Sequence, residues 1–145
     1  MPIVKSADGF LLLDTHVWIW LLLGDRRLKN PKLLKPINRA AAESRLKVSM
    51  MSVWELGMLE SKGRIRLQQD PMQWVRRALS QPGISLAPLT EEIAMQSTRL
   101  PGEFHGDPVD RILVATALNL KAALLTADQR ILTYCKHHAP DTIAV

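Results

Sequence analysis

Apolar residues along this chain fall into two rhythms. Short runs bounded by polar or turn-forming residues read as strands: Phe10-Leu-Leu-Leu13, Leu46-Lys-Val-Ser-Met50, Ile84 to Ala87, Ala122 to Thr126 and Thr142 to Val145. The first run stops at Asp14, as a strand buried on both faces would. Between these runs lie helical stretches. Thr15 to Leu23 is predicted as a short helix ending at Gly24, and Pro36 to Ser44 as part of a second. Ser52-Val-Trp-Glu55 has the spacing of a capping box and opens a helix running to about Lys62-Gly63. Pro71 to Ser80 carries proline in its first turn, Thr90 caps a helix that ends before Pro101, and Asp128 to Tyr134 forms a late one. Asp107-Pro108 opens the longest late helix, whose body includes Ile112, Leu113, Ala115 and Ala117. Strands alternating with helices imply an α/β fold, a mostly parallel central sheet covered on both faces. No repeat, low-complexity tract or Gly/Ser linker divides residues 1–145, so a single domain is expected.

Composition narrows the picture. A lone cysteine, Cys135, excludes an internal disulfide and a Cys-rich zinc site, and fits a reducing cytoplasm. The most apolar stretch, Phe10 to Leu23, is interrupted by Asp14 and His16 and is too short to span a bilayer. It also lacks a small-residue cleavage site, so a soluble cytoplasmic protein is expected. The net charge is 19 − 14 = +5, distributed unevenly. Residues 1–50 carry nine Lys/Arg against four Asp/Glu, whereas residues 101–145 carry four against five. A basic flank beside an acidic end suits a polyanion held next to metal chemistry, although the same charges would serve a solvated helix face.

The acids carry the sharper signal. In a parallel sheet, Asp14, Glu55 and Asp128 all fall on turns at the carboxyl edge of strands, where open α/β folds bind ligands. Asp107 and Asp110 are spaced i, i+3 at a helix start and share a face. Each has a plain alternative: Asp14, Asp107 and Asp128 as N-caps, Glu55 as the second member of its capping box, and Asp110 as a partner of the helix dipole. Taken together, acids recur where Ser, Thr or Asn would cap equally well. Carboxylates gathered in one pocket repel, and a hard cation such as Mg²⁺ or Mn²⁺ relieves that repulsion. Metal beside a basic approach suggests phosphate chemistry, and neither a P-loop nor a G-x-G-x-x-G loop is present to suggest nucleotide binding.

Four segments, in this order, resemble the PIN-domain ribonucleases, specifically the VapC-like toxins of bacterial toxin–antitoxin pairs. They are Leu11-Leu-Leu-Asp-Thr-His-Val-Trp18, Ser49-Met-Met-Ser-Val-Trp-Glu55, His105-Gly-Asp-Pro-Val-Asp-Arg-Ile-Leu113 and Leu124-Leu-Thr-Ala-Asp128. The resemblance implies a three-layer α/β/α PIN-like fold and Mg²⁺- or Mn²⁺-dependent endonucleolytic cleavage of RNA. It also implies a homodimer and a small VapB-like antitoxin partner. It matches Asp14, Glu55, Asp110 and Asp128 to the four metal-site acids, with Asp14 and Asp110 holding the principal metal and Asp107 as an auxiliary carboxylate. Two rival readings remain: a non-catalytic PIN-like module that binds RNA or protein, and a metal-dependent DNA nuclease or phosphatase.

Other residues invite roles. Thr15 and Ser52 stand beside the acids and are candidate substrate contacts, though capping is the better-supported role for Ser52. Arg26, Arg27 and Lys29, with Lys32 and Lys35, are candidate phosphate-backbone contacts, followed by Lys62, Arg64 and Arg66. His16 and His105 lack a second histidine at ligand spacing. Trp18, Trp20, Trp54 and Trp74 sit in apolar contexts that favour core or interface over base stacking.

Overall fold

The computed structural model describes residues 9–145. Strands β1 (Leu11–Leu13), β2 (Leu46–Ser49), β3 (Ile84–Ala87), β4 (Ala123–Thr126) and β5 (Thr142–Ala144) form one sheet in the order β3-β2-β1-β4-β5. Every pairing is parallel, as the alternation of strands and helices requires. Among the described residues, seven α-helices connect them: α1 (Thr15–Leu23), α2 (Pro31–Ala42), α3 (Met50–Ser61), α4 (Pro71–Leu79), α5 (Glu91–Ser97), α6 (Pro108–Leu120) and α7 (Gln129–Tyr134).

The central strands explain their own apolar runs. Successive strand residues point to opposite faces, so Leu11, Leu13, Ala123 and Leu125 enter a core shared with Val17, Trp18, Leu56 and Trp74. Leu12 and Leu124 enter the opposite core with Leu113, Val114 and Ile131. A strand with helices packed on both sides has no solvent face on which polar residues would be stable. Gly24 ends α1 in the left-handed conformation, φ 67°, which costs glycine little.

The second helix, of which Pro36 to Ser44 was expected to be part, runs from Pro31 to Ala42: Asn30 Oδ1 accepts a hydrogen bond from the Lys32 amide at 3.0 Å. Pro36 lies inside α2, whose buried positions Leu33, Ile37 and Ala40 follow the i, i+4, i+7 stripe of one helix face. One expected helix start is corrected: the third helix is capped by Ser49, whose hydroxyl accepts from the Met51 amide at 3.0 Å, and not by Ser52. Serine tolerates either position locally. β2 extends through Ser49, so the chain turns three residues earlier than the capping-box spacing suggests. The remaining elements lie within a few residues of their expected ends. Among the described residues, no helix is long and apolar enough to cross a membrane.

Candidate active site

The chain lays β2 and β3 on one side of β1 and then crosses to place β4 and β5 on the other. The connections leaving β1 and β4 therefore diverge, and a crevice opens at their carboxyl ends. The Asp14 amide continues the ladder by donating to Leu125 O at 3.0 Å, which fixes the residue beside β4. Its carboxylate is held at both oxygens: Oδ1 accepts from the Thr15 amide and Oδ2 from the Thr126 hydroxyl, each at 2.6 Å. Thr126 Oγ1 in turn accepts from the Asp128 amide at 3.0 Å. One buried hydroxyl thus ties the acid after β1 to the acid after β4.

Helices deliver the others. Asp107 caps α6, its Oδ1 accepting from the Asp110 amide at 2.9 Å, which leaves the Asp110 side chain on the first turn without a capping role. Gly106 permits that arrangement. A Cβ there would sit 2.4 Å from the Phe104 ring and 2.9 Å from Asp110 Cβ. Arg111 anchors the preceding segment through hydrogen bonds to Phe104 O at 2.7 Å and Ser97 O at 3.2 Å. Glu55 lies beyond the first turn of α3, a helix already capped by Ser49, so the capping-box explanation for this acid falls away.

All five carboxylates line one cleft of about 590 Å³, with His16 and Trp20 of α1 and Gln129 and Arg130 of α7 among its other walls. Burial is the largest influence on each shifted group. It pushes Asp14 above the ordinary carboxylate range, opposed by the hydrogen bonds from Thr126 and Thr15, with the Asp128 charge adding to the rise. Glu55 also rises through burial, opposed by the Thr15 hydroxyl and raised further by Asp14. Asp110 is pushed up to about 7, by burial first and then by the charges of Asp107, Asp128, Asp14 and Glu55. Among the described residues, no three potential ligands already enclose a point where a metal ion would sit; the acids ring the cleft instead. Side chains of the cleft would have to turn inward to enclose a cation. The all-oxygen donor set suits a hard divalent ion.

The structure separates the remaining candidates. Thr15 and Ser52 are fully buried and bonded to each other, Thr15 Oγ1 donating to Ser52 Oγ at 2.8 Å. They brace Asp14 and Glu55 from behind and present no atom to a polynucleotide. Arg26, Arg27 and Lys29 stand on and beside a 3₁₀ turn after α1, outside the acid cleft, although the Arg27 guanidinium lies 4.5 Å from the Trp20 ring centroid. Lys35 lines a separate hollow with Leu11, Arg45 and Ile143, near the starts of β1 and β2 and so at the opposite edge of the sheet. Trp18 and Trp74 belong to the core, whereas Trp54 is 55% exposed. His105 is exposed beside Glu103, away from the cleft.

Thr126 and Gly106 had no assigned role in the sequence, although both stand inside segments that carry the acids. Thr126→Val is expected to lower any activity that depends on the Asp14 carboxylate about 10–100-fold, because the hydroxyl that orients it is removed. It should cost about 1–3 kcal/mol of stability, because the Asp128 amide loses its acceptor and a buried Asp14 oxygen its donor. Turnover and urea melts on the same preparation measure both, and unchanged activity would refute the positioning role.

The Asp110 shift predicts a pH dependence. Between its ordinary value of 3.8 and about 7, the folded state binds a proton that the unfolded chain releases. Stability of the metal-free protein therefore falls as pH rises across that window. Screening at this half-exposed group limits the effect to about 1–2 kcal/mol, a loss of about 3–8 °C in Tm. Mn²⁺ should restore more stability at pH 8 than at pH 5, where protons compete with it. Melting curves of wild type and Asp110→Asn at both pH values test this; equal slopes in the two proteins would assign the effect elsewhere.

Comparison with known proteins bears on the family and the fold. The PIN domain family matches residues 11–136. Ribonuclease VapC22 of Mycobacterium tuberculosis is 30% identical over 133 residues, spanning 92% of this chain and 97% of that protein. Two solved structures share the fold. A toxin–antitoxin complex from Klebsiella pneumoniae has a TM-score of 0.60 at 22% identity, covering 92% of this chain and 96% of its own. VapBC2 from Rickettsia felis, bound to a DNA fragment from their promoter, has a TM-score of 0.62 at 12% identity, covering 93% and 98%.

Proposed function

This chain belongs to the PIN-domain family, and from that premise we propose that it is a divalent-metal-dependent endoribonuclease acting as the toxin of a toxin–antitoxin pair. The observation that carries the reading is the meeting of Asp14, Glu55, Asp107, Asp110 and Asp128, from separate segments, in one cleft at the crossover between β1 and β4. Glu55 has no capping work there, so the capping account fails for it; Asp110 keeps a first-turn place that suits the helix dipole and lines the same cleft.

Asp14 and Asp110 would hold the principal Mg²⁺ or Mn²⁺, with Glu55 and Asp128 completing the site and Asp107 at its margin. Such an ion, when bound, supplies charge neutralisation and a water acidic enough to attack a phosphodiester near neutral pH. The protein's own residues do the positioning. Thr126 and the Thr15 amide fix both Asp14 oxygens. The buried Thr15–Ser52 pair holds the ends of α1 and α3 together, so that Glu55 stays facing Asp14. Glu55 and Asp128, which line the same cleft, would orient the attacking water.

The partner expected for such a toxin is a small antitoxin, supported by the toxin–antitoxin nature of the two structural relatives. A homodimer in the cytoplasm completes the proposal.

The test incubates the purified chain, freed of co-purifying antitoxin, with total cellular RNA in Mg²⁺, in Mn²⁺ and in EDTA. Discrete fragments that depend on metal are expected. Equal background under all three conditions, with no metal binding by calorimetry, would leave the binding-module reading in its place.

A further inference from the structure

We propose that Arg130 is a catalytic residue whose guanidinium grips the non-bridging oxygens of the scissile phosphate and stabilises the charge that builds on them. The proposal rests on the nuclease reading and adds the protein cation that a site built of acids otherwise lacks. Among the described residues lining the cleft with the five carboxylates, Arg130 is the only lysine or arginine. A divalent ion offsets part of the acids' charge. The phosphodiester brings another negative charge to the same space, and that charge is repelled unless a cation of the wall receives it.

The other cations considered are elsewhere or occupied. Arg26 and Arg27 line a separate hollow with Gly24 and Asp25, and Lys35 lies at the opposite edge of the sheet. Arg111, although it follows Asp110 in the chain, is spent on Phe104 O at 2.7 Å and Ser97 O at 3.2 Å. Arg130 differs from all of these. Its amide donates to Asp128 Oδ1 at 2.8 Å, so the cap that fixes this acid also fixes the backbone of the arginine. The residue is exposed, and its side chain makes no ion pair or hydrogen bond among the described residues, although five carboxylates line the same cleft. Its charge is therefore not consumed by an acid in contact and stays available to an anion that enters. A planar guanidinium offers two parallel N–H donors to two phosphate oxygens, which an ammonium cannot.

In hydrolysis a water oxygen bonds to phosphorus and gives up a proton. The P–O bond to one ribose breaks, and the departing oxygen keeps the electron pair and gains a proton. Between the two events the non-bridging oxygens carry added negative charge, and a donor held there lowers the barrier. The test compares wild type, Arg130→Gln and Arg130→Lys in single-turnover RNA cleavage with Mn²⁺. The same proteins bind fluorescein-labelled RNA in Ca²⁺ at several salt concentrations, read by anisotropy. Arg130→Gln is expected to cleave about 10²–10³-fold more slowly and to lower the salt slope of binding by about 1. Arg130→Lys, which keeps the charge but not the fork, should keep the wild-type slope and cleave at a rate between the two. Mn²⁺ affinity by calorimetry should not fall in Arg130→Gln, because the cation removed repels the ion. A fall would show that Arg130 only braces the acids, and the proposal would be lost. A lowered slope with an unchanged cleavage rate would place the arginine on a different phosphate and overturn it, as would an unchanged slope. Wild type that fails to cleave RNA in Mn²⁺ would sink the nuclease reading and this proposal with it. Failure of the proposal alone leaves wild type and Arg130→Gln cleaving equally fast.

Discussion

Asp14→Asn is expected to reduce metal-dependent RNA cleavage by about 10³-fold or more, the scale of a lost metal contribution to the transition state, without destabilising the metal-free protein. The two halves of this prediction share one cause. Asp14 is 7% exposed, and burial lifts its carboxyl above the ordinary range, so its charge is a cost that only a cation repays in full. The asparagine is nearly isosteric. Its carbonyl can accept from the Thr15 amide, and its NH₂ can donate to Thr126 Oγ1 in place of accepting from it, so the network around the position survives. A purely structural N-cap behaves differently: Asn would replace Asp there with little effect on any activity. Cleavage assays beside melting curves, with and without Mn²⁺, make the comparison. Wild type should gain Tm from Mn²⁺ and Asp14→Asn should gain much less. Retained cleavage in the variant would remove Asp14 from the site.

Trp18→Ala is the largest expected loss of stability, about 3–5 kcal/mol. That is a large part of the roughly 5–15 kcal/mol that holds a typical domain together. Trp18 is fully buried on α1 and packs edge to face on Trp74 of α4 at 5.3 Å, among Leu11, Leu13 and Leu125 from the sheet. Its amide also makes the first helical bond back to Asp14 O, at 2.9 Å, so the same helix turn carries the core tryptophan and the proposed catalytic acid. A loosened α1 should therefore lose activity as well as Tm. The indole N–H is buried without an acceptor among the described residues. Trp18→Phe removes that unsatisfied donor, which offsets part of the smaller ring's lost contact. Urea melts of both variants test the ranking; a cost for Trp18→Ala below about 1 kcal/mol would contradict the packing described.

Much of this protein was legible from short-range pattern. Leu11-Leu-Leu13 announced a strand covered on both faces and Ala122 to Thr126 another strand, because side chains alternate and no polar residue interrupts either run. Gly24 announced the end of α1, and Asp107-Pro108 the start of α6, because each signal needs only its neighbours. Recurring acids at strand ends pointed to one edge of a parallel sheet. Local signals failed where two were equivalent, as with Ser49 or Ser52 for α3.

The sequence by itself therefore determined the elements, their parallel arrangement and the acids of the site, since periodicity, capping and turn chemistry act over a few residues. Only the tertiary structure decided the strand order that opens the crevice between β1 and β4. It alone made Thr126, 112 residues away, the donor to Asp14, and turned Ser52 from a cap into a buried brace. It also set Trp20 on the wall of the acid cleft and raised the Asp110 carboxyl to about 7. Those outcomes depend on which distant groups share a desolvated space, and hydrogen bonding, burial and charge repulsion between distant segments exist only once the chain has closed around them.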